Sequence, residues 1–243
     1  MGQDIISENF DGLPAVAAAE MRLLDQLAGE RFGLSSEKLM ENAGHAVAKE
    51  VERFLKQTAL SSVLIACGRG SNGSDGLVVA RILAQRGISQ SVFLCPAKKD
   101  EPYPVLFASN LERARAAGAQ LVLFEEGPAF PVALQKSDVI IDALLGTGSS
   151  GKPTGAVHAM IQEIVRSKKP VLAVDLPSGI HPDTGYHSGS FIAATETFSL
   201  GLPKRGLLFP HSQKNVGLLK ILDIGYPKEL VSAVIGMRGF EKK

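Results

Sequence analysis

The hydrophobic positions of the chain change their spacing near residue 60. Before that point, apolar residues recur every three or four positions, which predicts two helices within residues 14–57. After it, short and nearly continuous apolar runs alternate with helix-like segments. Continuous apolar strands are typical of a sheet that is buried on both faces. This alternation therefore predicts an α/β protein with a parallel sheet between two layers of helices.

The individual elements follow from the same pattern. The predicted strands of the sheet lie at residues 62–67, 90–95, 120–124, 138–145 and 170–175. The predicted helices between them lie at residues 75–87, 103–117 and 155–168. Three further strands are expected at residues 194–200, 206–210 and 218–224. Since no long linker or internal repeat interrupts the chain, we expect one domain over residues 1–243, with a helical arm (1–57) and an α/β core (58–243).

Composition narrows the class of protein. Hydrophobic residues make up 45% of the chain and charged residues 21%, which is typical of a globular protein. A net charge of +1 gives no indication of nucleic-acid binding. The chain has no apolar run of about 18 residues and no secretory leader pattern. Two cysteines without a disulfide framework predict reduced thiols, and the expected location is the cytoplasm, away from membranes.

The strongest candidate for a binding site is residues 63–76, VLIACGRGSNGSDG. An apolar strand stops in a glycine-rich turn and a helix follows at once, so backbone N–H groups and the helix dipole can meet an anion. This arrangement predicts a phosphate-bearing ligand, most simply a nucleotide. Asp75 is unusual beside a phosphate: it either caps the following helix or faces a cation near the ligand.

Two more acidic residues end apolar strands. Asp142 closes DVIID and Asp175 closes LAVD, so both belong at the ligand-binding edge of a parallel sheet. Paired carboxylates at such an edge can bind a cation or divide acid and base roles. An alternative interpretation of Asp142 is that it braces its neighbouring loop. Asp183, within PDTG, is interpreted as a turn residue.

Five segments in register carry a family resemblance. They are MRLLDQLAGERFGLSSEKLMENAGHAVA, GRGSNGSDG, DALLGTG, VDLPSG, and LGLPKRGLL followed by GLLKILDIGYP. Together they resemble the NAD(P)H-hydrate epimerase family, the YjeF N-terminal domain. The resemblance covers nearly the whole chain. It implies a Rossmann-like three-layer α/β/α sandwich, a homodimer, and interconversion of the R and S forms of NAD(P)H hydrate, a cofactor hydroxylated at C6 of its nicotinamide ring.

The resemblance also implies site residues. One K⁺ per subunit is expected on Asn72, Asp142 and Ser178. Asp175 is the candidate acid/base for loss and re-addition of the C6 hydroxyl. A separate NAD(P)H-hydrate dehydratase is the expected pathway partner. The expected substrate contacts are Ser71, Asn72, Gly73, Ser74, Asp75, Gly146, Thr147, Gly148, Ser149, Ser150, Gly151, Lys152 and Asp175.

The glycine-rich turn departs from the family pattern GNNGGDG. Ser71 replaces an asparagine and Ser74 replaces a glycine, which would strain the chain if that position needs a positive φ. A non-catalytic nucleotide-binding or scaffold module of the same fold is therefore the main alternative. An ordinary NAD(P)-dependent dehydrogenase ranks lower, because GxGxxG with an acidic residue about 20 positions later is missing.

Overall fold

The structure, a computed structural model, describes residues 9–149 and 151–239. A short hairpin, β1 (Asn9–Phe10) and β2 (Leu13–Pro14), comes first. The other strands are β3 (Ser62–Cys67), β4 (Ser89–Leu94), β5 (Leu121–Leu123), β6 (Val139–Ala143), β7 (Val171–Val174), β8 (Glu196–Leu200) and β9 (Leu218–Leu222). The helices are α1 (Ala18–Phe32), α2 (Ser36–Thr58), α3 (Ser71–Gln85), α4 (Val105–Ala116), α5 (Ala129–Lys136), α6 (Gly155–Ser167), α7 (Pro210–Val216) and α8 (Lys228–Gly236). Two 3₁₀ turns span Arg205–Leu207 and Met237–Gly239.

The seven strands β3 to β9 form one sheet in the order β5-β4-β3-β6-β7-β8-β9, and every pair is parallel. The chain builds outward from β3 to β5, then crosses to the other side of β3 and continues from β6 to β9. The order therefore reverses between β3 and β6, where Cys67 lies opposite Ala143. Such a switch point leaves a crevice at the carboxyl ends of the two strands.

Both faces of this sheet are covered. Val63, Ile65 and Cys67 of β3 face the core that the sheet forms with α1 to α4 and α8. The alternate residues Leu64 and Ala66 face α5 and α6. This alternation explains why the strands are apolar throughout, since each side chain is buried on one face or the other. The predicted Rossmann-like α/β/α sandwich is confirmed.

Helix α3 begins earlier than the predicted range of 75–87. Its cap is Gly70, and the glycine-rich run forms its first turn. A Cβ atom on Gly73 would lie 2.0 Å from the carbonyl oxygen of Gly68, so only glycine lets this turn approach the end of β3 so closely. Asp75 therefore lies beyond the first turn, and the interpretation that it caps the helix is wrong.

The strand predicted at residues 206–210 is also wrong. A 3₁₀ turn covers its start, and Pro210 is the first residue of α7, a position that favours proline. A Cβ on Gly206 would lie 2.3 Å from the carbonyl oxygen of His181, so this segment is packed closely against the turn around residue 182. Helices α5, α7 and α8 were not predicted.

Asp183 lies in a turn, as predicted, and has a second role. Its Oδ1 accepts a hydrogen bond of 2.6 Å from the backbone N–H of Ala18, in the first turn of α1. Alanine at the cap position of this helix has no side chain that could accept such a bond, so a distant carboxylate supplies it. Helix α1 is thereby tied to the loop that follows β7.

Two further sequence-based expectations concern membrane-spanning helices and the state of the two cysteines. Among the described residues, no helix has the length and hydrophobicity needed to cross a membrane. Cys67 and Cys95 are free and buried, and burial raises the pKa of Cys95 to about 12. Both thiols therefore stay protonated and serve as core packing groups.

Candidate active site

A cleft of about 560 Å³ opens at the switch point between β3 and β6. Its walls come from the start of α3, the loop after β6, helices α1 and α2, and the end of β7. Short side chains and glycines line the side formed by Gly146 to Ser149, and three acidic residues also line the cleft. They are Asp25, Asp75 and Asp175.

Asp175 directly follows β7 and has a left-handed backbone with φ 69°. A non-glycine residue rarely adopts this conformation, and such strain is common at functional sites. Its N–H donates to the carbonyl of Phe198 at 2.9 Å, which holds the strained backbone in place. On the side chain, Oδ2 accepts a bond of 3.2 Å from the N–H of Thr147.

Lys204 supplies a buried positive charge beside Asp175, and Arg22 and Arg69 line the cleft itself. Nζ of Lys204 lies 2.5 Å from Oδ1 of Asp175, and its side chain is only 1% exposed. The same ammonium donates to the carbonyl of Leu200 at 2.7 Å and lies 3.2 Å from Oγ of Ser199. A β-bridge between Val16 and Lys204 positions the backbone. All three ammonium protons have an acceptor, so the lysine is fixed beside Asp175.

Asp75 and Asp25 line the same cleft as Asp175 and add two further acidic groups to it. Asp75 is buried, and burial together with the nearby Asp175 and Asp25 raises the pKa of its carboxyl well above the usual range. Asp25 is open to the cleft, and its Oδ1 accepts a hydrogen bond from the hydroxyl of Tyr226. Desolvation and the charge of Asp175 raise the pKa of Asp25 as well. Burial and the neighbouring acids therefore favour the protonated form of Asp75, beside the ion-paired carboxylate of Asp175.

Asp142 lies in a different environment, below the cleft. It is fully buried and accepts three hydrogen bonds: from the Ser178 hydroxyl at 2.6 Å, the Ser178 N–H at 2.8 Å and the Leu144 N–H at 3.2 Å. Despite these bonds, burial raises the pKa of Asp142 to about 6. The interpretation that Asp142 braces its neighbouring loop is therefore correct, and its carboxylate is not a partner of Asp175 at the cleft surface.

Asn72 joins this lower group through Leu145. Its amide Nδ2 donates to the carbonyl of Leu145 at 3.0 Å, and the N–H of Leu145 donates to Oγ of Ser178 at 2.9 Å. The structure thus brings together the three predicted cation ligands. Oδ1 of Asn72 is buried and has no hydrogen-bond donor within the described parts of the chain. A buried amide oxygen without a donor, linked through Leu145 and Ser178 to a buried carboxylate with neutral partners, fits a cation.

The predicted substrate-binding residues divide into groups. Those that line the cleft are Ser71, Asn72, Asp75, Gly146, Thr147, Gly148, Ser149 and Asp175. Gly73 and Ser74 pack behind it, Gly151 lines a neighbouring cleft, and Lys152 is exposed on the same loop. Ser150 lies outside the described residues.

Ser74 is not strained by replacing a glycine. It lies within α3, where the backbone is helical, so no positive φ is required. Its Oγ accepts a bond of 2.9 Å from Nδ2 of Asn110 on α4. The serine therefore joins two helices behind the cleft.

Three functional candidates were missed by sequence reasoning: Lys204, Asp25 and Tyr226. Lys204 had a signal, because it is a charged residue inside the otherwise apolar and turn-forming LGLPKRGLL. Asp25 and Tyr226 had none, since their meeting depends on packing of the first helix against the segment before α8.

Comparison with known proteins identifies the family and supports the fold. The family described as YjeF-related protein N-terminus matches residues 36–206. The chain belongs to this family. The crystal structure of the yeast protein YNL200c has the same fold, with a TM-score of 0.77 over 91% of this chain and 93% of that chain at 24% identity.

Members of the family with assigned names are similar over most of the chain. The NAD(P)H-hydrate epimerase of Elusimicrobium minutum is 33% identical over 91% of this chain and 100% of its own length. The bifunctional NAD(P)H-hydrate repair enzyme of Moorella thermoacetica is 41% identical over 89% of this chain and 41% of its own length. The chain thus spans about two fifths of the bifunctional relatives it matches.

Proposed function

We propose that this protein is an NAD(P)H-hydrate epimerase that interconverts the R and S forms of the hydrate for cofactor repair. The observation that carries the proposal is the ion pair of Asp175 with Lys204 beside the buried Asp75, whose carboxyl pKa is raised, in a cleft at the switch point of the sheet. The names of the relatives from Elusimicrobium and Moorella support the same substrate.

The three side chains suit acid–base chemistry at a carbon that bears a hydroxyl. In the proposed reaction, Asp75 donates its proton to the C6 hydroxyl, the C6–O bond breaks, and water leaves. The lone pair of the ring nitrogen forms the C=N bond of the resulting cation, and the Asp175 carboxylate stabilises that charge. Water then adds to the other face and a carboxylate accepts its proton, so that atoms and charge balance. Asp175, which the sequence predicted as the acid/base, is given the charge-stabilising role in this proposal because its carboxylate is ion-paired with Lys204. The ammonium of Lys204, 2.5 Å from Oδ1, holds the Asp175 carboxylate in place for this role.

We also propose that Asn72, Asp142 and Ser178 hold one K⁺ per subunit. The unpartnered Oδ1 of Asn72 and the buried Asp142 carboxylate support this assignment. The ion would supply positive charge beneath the anionic substrate and offset the buried carboxylate. Substrate contacts by the residues predicted from the sequence, including Gly73, Ser74 and Lys152, belong to the same proposal.

The remaining parts of the proposal concern the setting of the enzyme. We propose that the enzyme is a homodimer, that it is located in the cytoplasm, and that a separate NAD(P)H-hydrate dehydratase is its pathway partner. The free, buried thiols of Cys67 and Cys95 are consistent with a reducing compartment.

The deciding experiment is epimerisation of purified R hydrate in potassium buffer, followed by chiral separation against a spontaneous control. Acceleration by the wild-type protein, lost in a folded Asp175→Asn variant, would establish the activity. A folded protein that gives no acceleration over the control contradicts the proposal and favours the non-catalytic nucleotide-binding module.

A further inference from the structure

A second cleft lies next to the first. Its volume is about 190 Å³, and it shares Leu145, Gly146 and Ser149 with the main cleft. Its far wall is the loop after β7, from Gly179 to Ser188. Residues 146–149 therefore form a glycine-containing divider between two adjoining cavities.

The far wall carries an exposed aromatic ring in a fixed position. Tyr186 is 65% exposed and lines the second cleft. Its ring stacks on the ring of His211 with the centroids 4.2 Å apart and the planes at 12°. Phe209 continues the stack at 5.0 Å from His211. An exposed aromatic face held from behind in this way is the kind of surface on which a nucleobase stacks.

Two histidines add hydrogen-bond donors to the same cleft. Nδ1 of His181 accepts from the N–H groups of Asp183 and Thr184, at 3.1 and 3.3 Å. Nδ1 of His187 accepts from the N–H of Gly189 at 3.2 Å. A neutral imidazole that accepts at Nδ1 carries its proton on Nε2. Both rings therefore offer an Nε2–H group to a polar ligand.

The wall is braced before any ligand arrives. The N–H of Gly206 donates to the carbonyl of Pro182 at 2.6 Å, and Nε2 of His211 hydrogen-bonds to the carbonyl of Thr184 at 2.9 Å. Asp183 is tied to the start of α1, as described above. A site that is already ordered loses little conformational freedom on binding.

We propose that the second cleft binds the adenosine half of the dinucleotide substrate, with the base stacked on Tyr186. This inference rests on the proposed function, which assigns the nicotinamide half to the carboxylates of the main cleft. The pyrophosphate would then cross the divider at Gly146 and Gly148, where missing side chains allow close approach to the backbone. The two cavities together accommodate both halves of one ligand.

The test compares two substrates: the hydrate of NADH and the hydrate of reduced nicotinamide mononucleotide, which lacks the adenosine. We expect Tyr186→Ala to lower kcat/KM for the dinucleotide about tenfold, as for loss of one stacked base. The mononucleotide rate should stay at the wild-type value, and Tyr186→Phe, which keeps the stacking face, should behave as wild type on both. Equal effects of Tyr186→Ala on both substrates, or no effect on either, would overturn the inference.

Phe32→Ala is the matched control, because Phe32 is an exposed aromatic residue of α1 outside both clefts. It should change neither rate. If the wild-type protein accelerates neither substrate, the proposed function fails and calorimetric titration with AMP decides the inference separately. AMP binding that Tyr186→Ala weakens would uphold the cleft as a nucleotide site, and absence of AMP binding to the wild type would refute it.

Discussion

The ammonium of Lys204 and the carboxylate of Asp175 form a buried ion pair with Nζ and Oδ1 2.5 Å apart. The pair joins the segment after β8 to the strained residue at the end of β7. Because both charges are removed from water, each depends on the other and on its remaining hydrogen bonds. The pair is therefore both a structural contact and the electrostatic centre of the cleft.

Replacing Lys204 by methionine should destabilise the protein strongly. The variant leaves Asp175 as a buried charge without a cation, which typically costs about 3–5 kcal/mol in the free energy of unfolding. Urea denaturation measures the loss. The double variant Lys204→Met, Asp175→Asn should recover most of the lost free energy of unfolding, because no uncompensated buried charge remains.

The matched control is Arg205→Met. Arg205 pairs with Glu20 at 3.2 Å, but its side chain is 37% exposed. An ion pair of this kind contributes about 0–1 kcal/mol, so the variant should unfold close to the wild type. A loss as large as that of Lys204→Met would contradict the special role of the buried pair.

Asp75→Asn should remove the proton donor. We expect kcat to fall by about 10²–10⁴-fold, the usual contribution of a general acid. In the wild type, the rate should also fall as the pH rises through the raised pKa of Asp75, because the donor is then lost. A pH profile of kcat for the wild type and the variant checks both points, and this alkaline limb should be absent from the residual rate of the variant.

Asp75→Asn should lower activity but should not lower the stability of the fold at neutral pH. The folded-state pKa of Asp75 lies above its unfolded value, so its contribution to stability is fully present below the unfolded pKa and is lost as the pH rises through the folded one. Asn at this position avoids that loss. At neutral pH and above, Asp75→Asn should therefore be at least as stable as the wild type, and this advantage should disappear in acid. A variant less stable than the wild type at pH 8 would refute the argument.

Potassium should stabilise the folded protein through Asp142. We expect a higher Tm in potassium chloride than in choline chloride at equal ionic strength, because the ion binds only the folded state. Asp142→Asn should abolish this difference. Asp138→Asn is the control: Asp138 immediately precedes the same strand and accepts hydrogen bonds from Ser61 and Ser62, so its replacement should change Tm equally in both salts.

Ser74→Gly, which restores the residue common in the family, should lower stability without raising activity. Glycine within a helix costs about 1 kcal/mol. The bond from Asn110 is lost as well, which adds about 1 kcal/mol or more. Ser71→Gly, at the exposed first position of α3, is the control and should be nearly neutral. A clear gain in epimerisation by Ser74→Gly would show that the serine does impair the site.

The sequence determined the sheet and the edge at which the site lies. Continuous apolar runs such as residues 62–67 indicated strands covered on both faces, because burial acts on each strand locally. The positions of Asp142 and Asp175 at strand ends followed directly, since parallel strands end at a common edge. The family motifs then predicted Asn72 and Ser178 as cation ligands, and in the structure both residues hydrogen-bond the backbone of Leu145.

Only the tertiary structure decided which charges share the cleft. Asp25 and Tyr226 are 201 residues apart in the chain and meet through their hydrogen bond. Lys204 reaches Asp175 because Val16 pairs with its backbone, and Asp75 faces inward because α3 begins at Ser71. These contacts arise from helix packing and close glycine approach between distant segments. Local hydrophobic spacing fixes each element but contains no information on such long-range contacts, so the electrostatics of the site had to come from the fold.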